Sequence, residues 1–147
     1  MVSIIPGWVY SLFAALVVGT IVVSTCSLAT VNVRNEAENQ QLRNIDTYVA
    51  TQSLMLLTHV ADNNQSESEF LNFPSQIANQ IYWVSLANDS SAAWVESGFG
   101  TEATTSQPQI YLPAQVAASG FFVSGYGRAL LQCINQNQTV TLTLTSD

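Results

Sequence analysis

Side chains that could carry out catalysis are few in this 147-residue sequence, and they are scattered along it. His59 is the only histidine, and there is no lysine to form a Schiff base or to clamp a phosphate. The acidic pairs Glu36/Glu38 and Glu67/Glu69 are two residues apart, a spacing that does not bring side chains together on a helix. We therefore expect no enzymatic activity.

Ligands for a metal or a cofactor are equally sparse. Cys26 and Cys133 have no cysteine or histidine neighbour at the spacing of a metal site. The short glycine motifs at 98–100 and 125–127 lack the strand–turn–helix context of a phosphate-binding loop. We predict no metal, no cofactor, and two buried thiols that do not pair with each other.

The composition excludes several further classes of protein. The chain has three arginines against ten acidic residues, a net charge of −7, 9% charged residues and 48% apolar residues. Nucleic-acid binding is not expected, because it requires clustered cations. The apolar content is too high for a disordered chain.

The apolar residues are concentrated at the N-terminus. No charged residue precedes Arg34, and the densest apolar run covers residues 4–23. A run of this length is sufficient for a helix to cross a bilayer, or to be buried among other helices. The hydroxyl groups in this segment are compatible with an apolar environment, because a helical Ser or Thr can bond the carbonyl four residues earlier.

The helical pattern continues beyond this run as an amphipathic segment. Apolar residues recur at helical spacing at Leu42, Ile45, Val49 and Leu56, and we predict that these four side chains pack on the rest of the chain. The charged residues of the segment, including Glu38 and Asp46, are expected to lie mostly off this stripe. A continuous helix over residues 8–61 would be about 80 Å long, with Gly19 as the one position where a bend is acceptable.

The remainder of the chain has the pattern of a β-domain. Short segments rich in β-branched and aromatic residues alternate with turn residues, and we predict seven strands near 70–73, 81–87, 92–97, 109–112, 121–124, 128–134 and 139–145. In the last segment, threonines alternate with apolar residues, which indicates a strand with one solvent-exposed face and antiparallel pairing. The expected fold is α+β: a helix at 1–62, apolar over 1–33 and amphipathic over 34–62, and a small antiparallel β-sandwich head at 63–147. We expect six aromatic side chains of the head to form its core, with a ligand-binding cluster as the alternative: Tyr82, Trp83, Trp94, Tyr111, Phe121 and Phe122.

Residues 73–85 and 112–124 resemble each other at an offset of 39. Each copy has an apolar–Pro–x–Gln start and a later pair of adjacent aromatic residues, Tyr82-Trp83 in one copy and Phe121-Phe122 in the other. We interpret them as two related hairpin units, one in each sheet of the sandwich; chance similarity is the alternative.

This architecture resembles an archaeal type IV pilin: a charge-free apolar helix, an amphipathic continuation, and a β-domain poor in charge and rich in Ser, Thr, Asn and Gln. The resemblance covers the whole chain, and its most specific local features are residues 42–50 and the Phe-Pro…Ile…Tyr-Trp-Val pattern over 73–84. The basic leader of the family is absent, and no charge precedes Gly7. The resemblance therefore implies that the chain given is the mature form.

The resemblance implies a structural subunit that polymerises with copies of itself into an extracellular filament for surface attachment, and that is held in the membrane before assembly. The filament core would contain the apolar side chains of the N-terminal helix: Ile4, Ile5, Trp8, Leu12, Leu16, Val18 and Val22. Two alternatives remain open. The chain could be an archaellin, the subunit of a motility filament, or a cell-surface binding protein anchored in the membrane by one helix.

Three Asn-x-Ser/Thr triplets occur in predicted turns or at edges of the head, and none occurs in the long helix. They begin at Asn64, Asn88 and Asn137. If the head is exported, these residues are candidates for N-linked glycans; bare surface loops are the alternative.

Overall fold

The structure is a computed structural model that describes residues 4–63, 65–89, 91–103, 109–112, 116–136 and 139–147. One α-helix, α1, runs over Ile4–Asn63 and contains 60 residues. Pro6 lies in its first turn, where a missing backbone N–H costs nothing, and no other proline occurs before residue 74. The continuous helix predicted over residues 8–61 is confirmed, and it extends a few residues beyond both of these ends.

The chain divides into two compact units, residues 1–37 and residues 38–147. The first unit consists of the apolar part of α1. The second contains the amphipathic part of α1 together with all the strands. The boundary between the two units therefore lies inside α1. Before it, apolar residues occur on all sides of the helix, and after it they form a single stripe.

Within the described residues, seven strands follow the helix, as predicted. They are β1 Glu67–Leu71, β2 Tyr82–Asn88, β3 Ala93–Phe99, β4 Ile110–Tyr111, β5 Ala117–Val123, β6 Ala129–Gln136 and β7 Thr139–Ser146. The largest boundary shift is in β5, which begins four residues earlier than predicted. Its first four residues, Ala-Ala-Ser-Gly, have weak intrinsic strand preference, and pairing with β7 holds them in the sheet.

All seven strands join one sheet in the order β1-β6-β7-β5-β2-β3-β4. The expected arrangement of two separate sheets is therefore not what forms. Neighbouring strands are antiparallel except β5 and β7, which pair in parallel through Ala117↔Thr141 to Gly120↔Leu144. A second sheet is unnecessary, because the amphipathic half of α1 covers the apolar face of the first.

The hydrophobic core lies between this helical half and the sheet. In β7, Leu142 and Leu144 are fully buried, while the intervening Thr143 is only half-buried. The two leucines belong to one cluster that also contains the buried side chains of the helix: Leu42, Ile45, Val49, Leu56, Leu57 and Val60. Residues 38–147 thus form a two-layer unit, one helix on one sheet.

The internal repeat is placed differently from our expectation. Its two strand segments, in β2 and β5, are direct neighbours in the same sheet, with Trp83 opposite Val123 and Val84 opposite Phe122. The backbone N–H of Ser124 donates to the Tyr82 carbonyl at 2.8 Å, and its hydroxyl accepts from the Tyr82 N–H at 3.0 Å. The two copies therefore form an adjacent pair, not one unit in each of two sheets.

Residues with positive φ matter for the fold at two places, one in β5 and one in the turn before β2. Gly120 has φ 141°, and a Cβ there would overlap the backbone of Leu144 on the parallel neighbour β7. Ala78 and Asn79 have φ 49° and 64° in a two-residue turn closed by reciprocal bonds between Ile77 and Gln80. Both left-handed turn residues fit a type I′ hairpin turn, which favours glycine and asparagine.

Candidate functional site

An extended apolar surface without a partner in the described part of the chain covers the apolar segment, defined here as residues 7–33 of α1. Among the predicted filament-core residues, Trp8, Leu12, Leu16, Val18 and Val22 expose between 44% and 67% of their surface. Ile4 and Ile5 belong to the helix, but their side chains lie outside the described part. None of residues 7–37 is buried, so the chain itself does not cover this apolar surface.

The segment is long and apolar enough to cross a bilayer. An 18-residue window of the helix has a mean hydropathy of 2.2, and none of that window is buried. A signal sequence or a membrane anchor has the same length and composition. The helix alone therefore does not distinguish lipid from protein as its surroundings.

Polar groups in the apolar segment are satisfied within the helix. The hydroxyls of Ser24 and Ser27 donate to the carbonyls four residues earlier at 2.7 and 2.9 Å, and that of Thr20 donates to the Val17 carbonyl at 2.8 Å. Ser11, Thr25 and Thr30 make equivalent bonds. These bonds are the ones expected from the sequence, by which Ser and Thr hydroxyls can be accommodated in an apolar environment. The segment presents almost no hydroxyl that requires water, which suits burial in lipid or protein.

A shallow groove crosses the segment around Gly19. It is lined by Ala15, Leu16, Gly19, Thr20, Val23 and Ser24. A Cβ at Gly19 would meet no atom of this chain within 4 Å. The small residue is therefore not required by packing inside the subunit, whereas small residues on apolar helices commonly permit close approach of a second helix.

The second half of the helix holds the residues predicted to pack on the head. Leu42, Ile45, Val49 and Leu56 are 5%, 8%, 0% and 4% exposed. They lie in the same cluster as the apolar residues of β2, β3, β6 and β7. This contact attaches residues 38–63 to the sheet.

Two acidic residues expected off the buried stripe lie on it. Asp46 is 2% exposed and Glu38 is 9% exposed. Glu38 Oε2 accepts a hydrogen bond from Gln80 Nε2 at 3.2 Å, whereas neither Asp46 Oδ1 nor the nearby Ser97 hydroxyl has a hydrogen bond within the described residues. Burial raises the pKa of Asp46 to about 6; the Glu96 carboxylate adds to this increase and Ser97 opposes it. The sequence spacing could have predicted the burial of Asp46. Positions 42, 46, 49, 53 and 56 are separated by alternately four and three residues, so Asp46 and Ser53 lie on the same helix face as Leu42, Val49 and Leu56.

His59, the candidate for acid–base chemistry, lies near the end of α1 beside an acidic residue of β1. His59 is 66% exposed, and its Nδ1 lies 3.5 Å from Glu67 Oε2. Within the described ranges, no group of three or more His, Cys, Asp or Glu residues is positioned to hold a metal ion. Both cysteines are free, but only Cys133 is buried; Cys26 is exposed in the apolar segment, contrary to expectation.

Of the three asparagines that are candidates for N-linked glycans, Asn88 lies within the described residues. Asn88 is exposed at the end of β2, next to a turn that Asp89 stabilises by accepting bonds from the Ser91 and Ala92 amides. These bonds lower the pKa of Asp89. Asn64 and Asn137 lie outside the described residues.

Part of the aromatic core prediction is wrong. Tyr82, Trp83 and Phe122 are buried, but Tyr111 is 61% exposed and Phe121 is 41% exposed. Trp94 is partly exposed. Alternation explains the difference, since Trp94 and Phe121 lie on the sheet face opposite the helix.

Comparison with protein-family models, curated proteins and solved structures found no match for this chain.

Proposed function

We propose that this protein is a filament subunit of the archaeal type IV pilin kind, in which the apolar segments of many copies form a common core and residues 38–147 form the outer domain. The filament is extracellular, serves surface attachment, and assembles from subunits held in the membrane. The pilin-like architecture, glycosylation of the outer domain and the extracellular location are parts of the same proposal.

The observation that carries the proposal is the uncovered apolar segment. Fourteen large apolar side chains between Trp8 and Val33 are 44–76% exposed. At roughly 1 kcal/mol for completing the burial of each, their removal from water is worth on the order of 10–20 kcal/mol. This is comparable with or larger than the entropic cost of association, about 4–15 kcal/mol. The segment is therefore expected to be surrounded by lipid or by other helices.

Assembly into an open filament is consistent with a single type of chain. An identical, non-closing contact repeated between copies produces a helical polymer. The absence of charge before Arg34 fits a core in which an unpaired carboxylate would cost several kcal/mol. The groove at Gly19 provides a place where a neighbouring helix can approach closely.

The second candidate is a monomeric surface protein anchored by one helix. The hydropathy of the same segment favours it to a similar degree. The two proposals differ at Gly19, because a larger apolar side chain is harmless in lipid but obstructs close helix packing.

The decisive experiment combines electron microscopy of the native protein with two substitutions. Leu16→Asp should abolish filaments while the subunit remains in the membrane, since one central carboxylate costs an isolated span only about 3 kcal/mol. Thr51→Asp, at an exposed position in the second half of α1, is the matched control and should still assemble. Wild-type-like filaments from Leu16→Asp, or a membrane-bound wild-type chain that never forms filaments, would contradict the proposal.

Gly19→Leu then separates the two candidates. The anchored monomer should tolerate it, whereas a filament core with helices packed at Gly19 should lose assembly. Val18→Leu, which also adds apolar volume but at a position that is already large, serves as its control.

A further inference from the structure

The outer face of the sheet, opposite α1, carries a compact polar and aromatic cluster that the core does not use. We name the four residues Trp94, Glu96, Gln109 and Tyr111 the Trp94 cluster. Trp94 and Tyr111 are direct partners across β3 and β4, and Glu96 lies on the same face two residues after Trp94. Gln109 precedes β4 and joins the cluster through its side chain.

A chain of hydrogen bonds orders these side chains. The Tyr111 hydroxyl donates to Gln109 Oε1 at 3.0 Å. Gln109 Nε2 and Trp94 Nε1 both donate to Glu96 Oε2, at 3.5 and 3.4 Å. Two donors occupy only part of the capacity of a carboxylate, which has about four acceptor sites. The Glu96 carboxylate therefore has acceptor sites left over, and a ligand that donates hydrogen bonds could use them.

The two rings form an open corner beside these acceptors. Their centroids are 6.2 Å apart and their planes are inclined at 60°. Tyr111 is 61% exposed, so an aromatic face is available at the surface. Such a face carries negative charge density and attracts the weakly positive C–H edges of a ligand.

The charge of the cluster restricts the ligand further. Glu96 supplies its only carboxyl group, and the cluster contains no cation. Arg128 is the only cation after Arg43; it lies over the Phe70 ring of β1, at 4.4 Å from the centroid. Because β1 and β4 are opposite edges of the sheet, the only arginine or lysine of residues 64–147 lies away from the cluster and cannot bind a phosphate, a sulfate or a uronic acid there.

From this combination we propose that the Trp94 cluster binds neutral carbohydrate. A pyranose ring places its C–H face on Tyr111 or Trp94 and donates vicinal hydroxyls to Glu96 and Gln109. A few polar groups beside an apolar platform are the usual composition of a specific small-ligand site. The inference does not depend on filament formation, because all four residues belong to the β3–β4 edge of one subunit.

The test uses the full chain in dodecylphosphocholine micelles, since sugar-based detergents would compete. Maltotriose, cellotriose, mannotriose and a β-1,4-linked galactotriose are titrated, and the indole N–H resonance of Trp94, assigned with Trp94→Phe, is followed by NMR. At least one neutral trisaccharide should shift this resonance with millimolar or tighter affinity. Trigalacturonic acid should bind at least tenfold more weakly than the neutral sugar that binds best.

Substitutions then locate the site. Tyr111→Ala and Glu96→Gln should each weaken binding at least tenfold, whereas Tyr111→Phe, which keeps the ring, should weaken it only severalfold. Phe70→Ala is the matched control, because Phe70 is an exposed aromatic residue at the opposite edge of the sheet, and it should leave affinity unchanged. Circular dichroism verifies that each variant is folded.

Two results would overturn the inference. One is no binding by any of the four neutral sugars, which would leave the aromatic pair as a stabiliser of the sheet edge. The other is binding that survives Tyr111→Ala and Glu96→Gln. Filament formation by the same variants, scored by electron microscopy, is expected to be normal. A failure of sugar binding is thereby distinguished from a failure of assembly.

Discussion

The buried carboxyl group of Asp46 makes the stability of residues 38–147 depend on pH in an uncommon direction. Burial is the main cause of the rise in its pKa from the ordinary value of 3.8 to about 6, with a further contribution from Glu96. Each pKa unit corresponds to about 1.4 kcal/mol of difference between folded and unfolded states. Ionised Asp46 therefore costs the folded state about 3 kcal/mol.

The sign follows from which state holds the proton. Below pH 3.8 the group is protonated in both states, and its contribution is fully favourable. Between pH 3.8 and 6 the unfolded chain ionises first, so stability falls as pH rises. Well above pH 6, the stability that protonated Asp46 contributes to the folded state is completely lost. Most carboxyl groups, which are paired in the folded state, have the opposite effect.

Asp46→Asn removes this titration while keeping nearly the same shape. The variant should gain stability relative to wild type as pH rises, by about 2 kcal/mol between pH 4.5 and pH 7.5. The difference between the two pH values is the useful quantity, because an asparagine amide in the same place adds a constant offset of its own. Glu96 is present in both proteins, so comparing them also cancels most of its contribution.

Urea unfolding of the full chain in micelles, followed by near-ultraviolet circular dichroism, measures both free energies. Asp62→Asn is the matched control, since Asp62 is an exposed acid near the end of the same helix; this variant should follow the wild type at both pH values. A stability gain for Asp46→Asn that is equal at pH 4.5 and 7.5, or larger at pH 4.5, would refute the reasoning.

Three further predictions concern the outer domain. Gly120→Ala should destabilise it by at least 2 kcal/mol, because its Cβ would overlap the Leu144 backbone; Gly100→Ala, at φ 100° with no atom within 4 Å, should cost about 1 kcal/mol in the same urea assay. Ala78→Gly should be neutral to stabilising, by up to about 1 kcal/mol, since it relieves a left-handed alanine; a clear loss in thermal unfolding would contradict this. Native protein should exceed its sequence mass by glycan, which peptide mapping should place on at least one of Asn64, Asn88 and Asn137; three bare asparagines would disprove glycosylation.

The elements of the fold were largely predictable because their signals are local. The helix follows from the absence of interior proline and from apolar spacing, and β7 from strict alternation of threonine with Val140, Leu142 and Leu144. The arrangement of the strands was not predictable in the same way. Alternation shows that a strand has one dry face, but not whether a sheet or a helix covers it. The parallel pairing of β5 with β7 joins segments that no short turn connects.

The errors about individual side chains have a common physical origin. Asp46 was placed on the wet side of the helix because a carboxylate is rarely buried without a partner, although its spacing puts it on the buried stripe. Tyr111 and Phe121 were assigned to the core because they are aromatic, although alternation puts Phe121 opposite Phe122. In each case residue type was given more weight than position, and position was the better guide.

The change in apolar pattern along α1 is the strongest link between sequence and proposed function. From residue 38 onward the apolar residues form one stripe, and one sheet face is enough to bury it. Before that point they surround the helix, and a single sheet face cannot cover all sides of a helix. The apolar face of this sheet packs against residues 42–60. We therefore propose that partners for residues 7–33 come from outside the chain. Copies of the same segment would surround it on every side without introducing a charge.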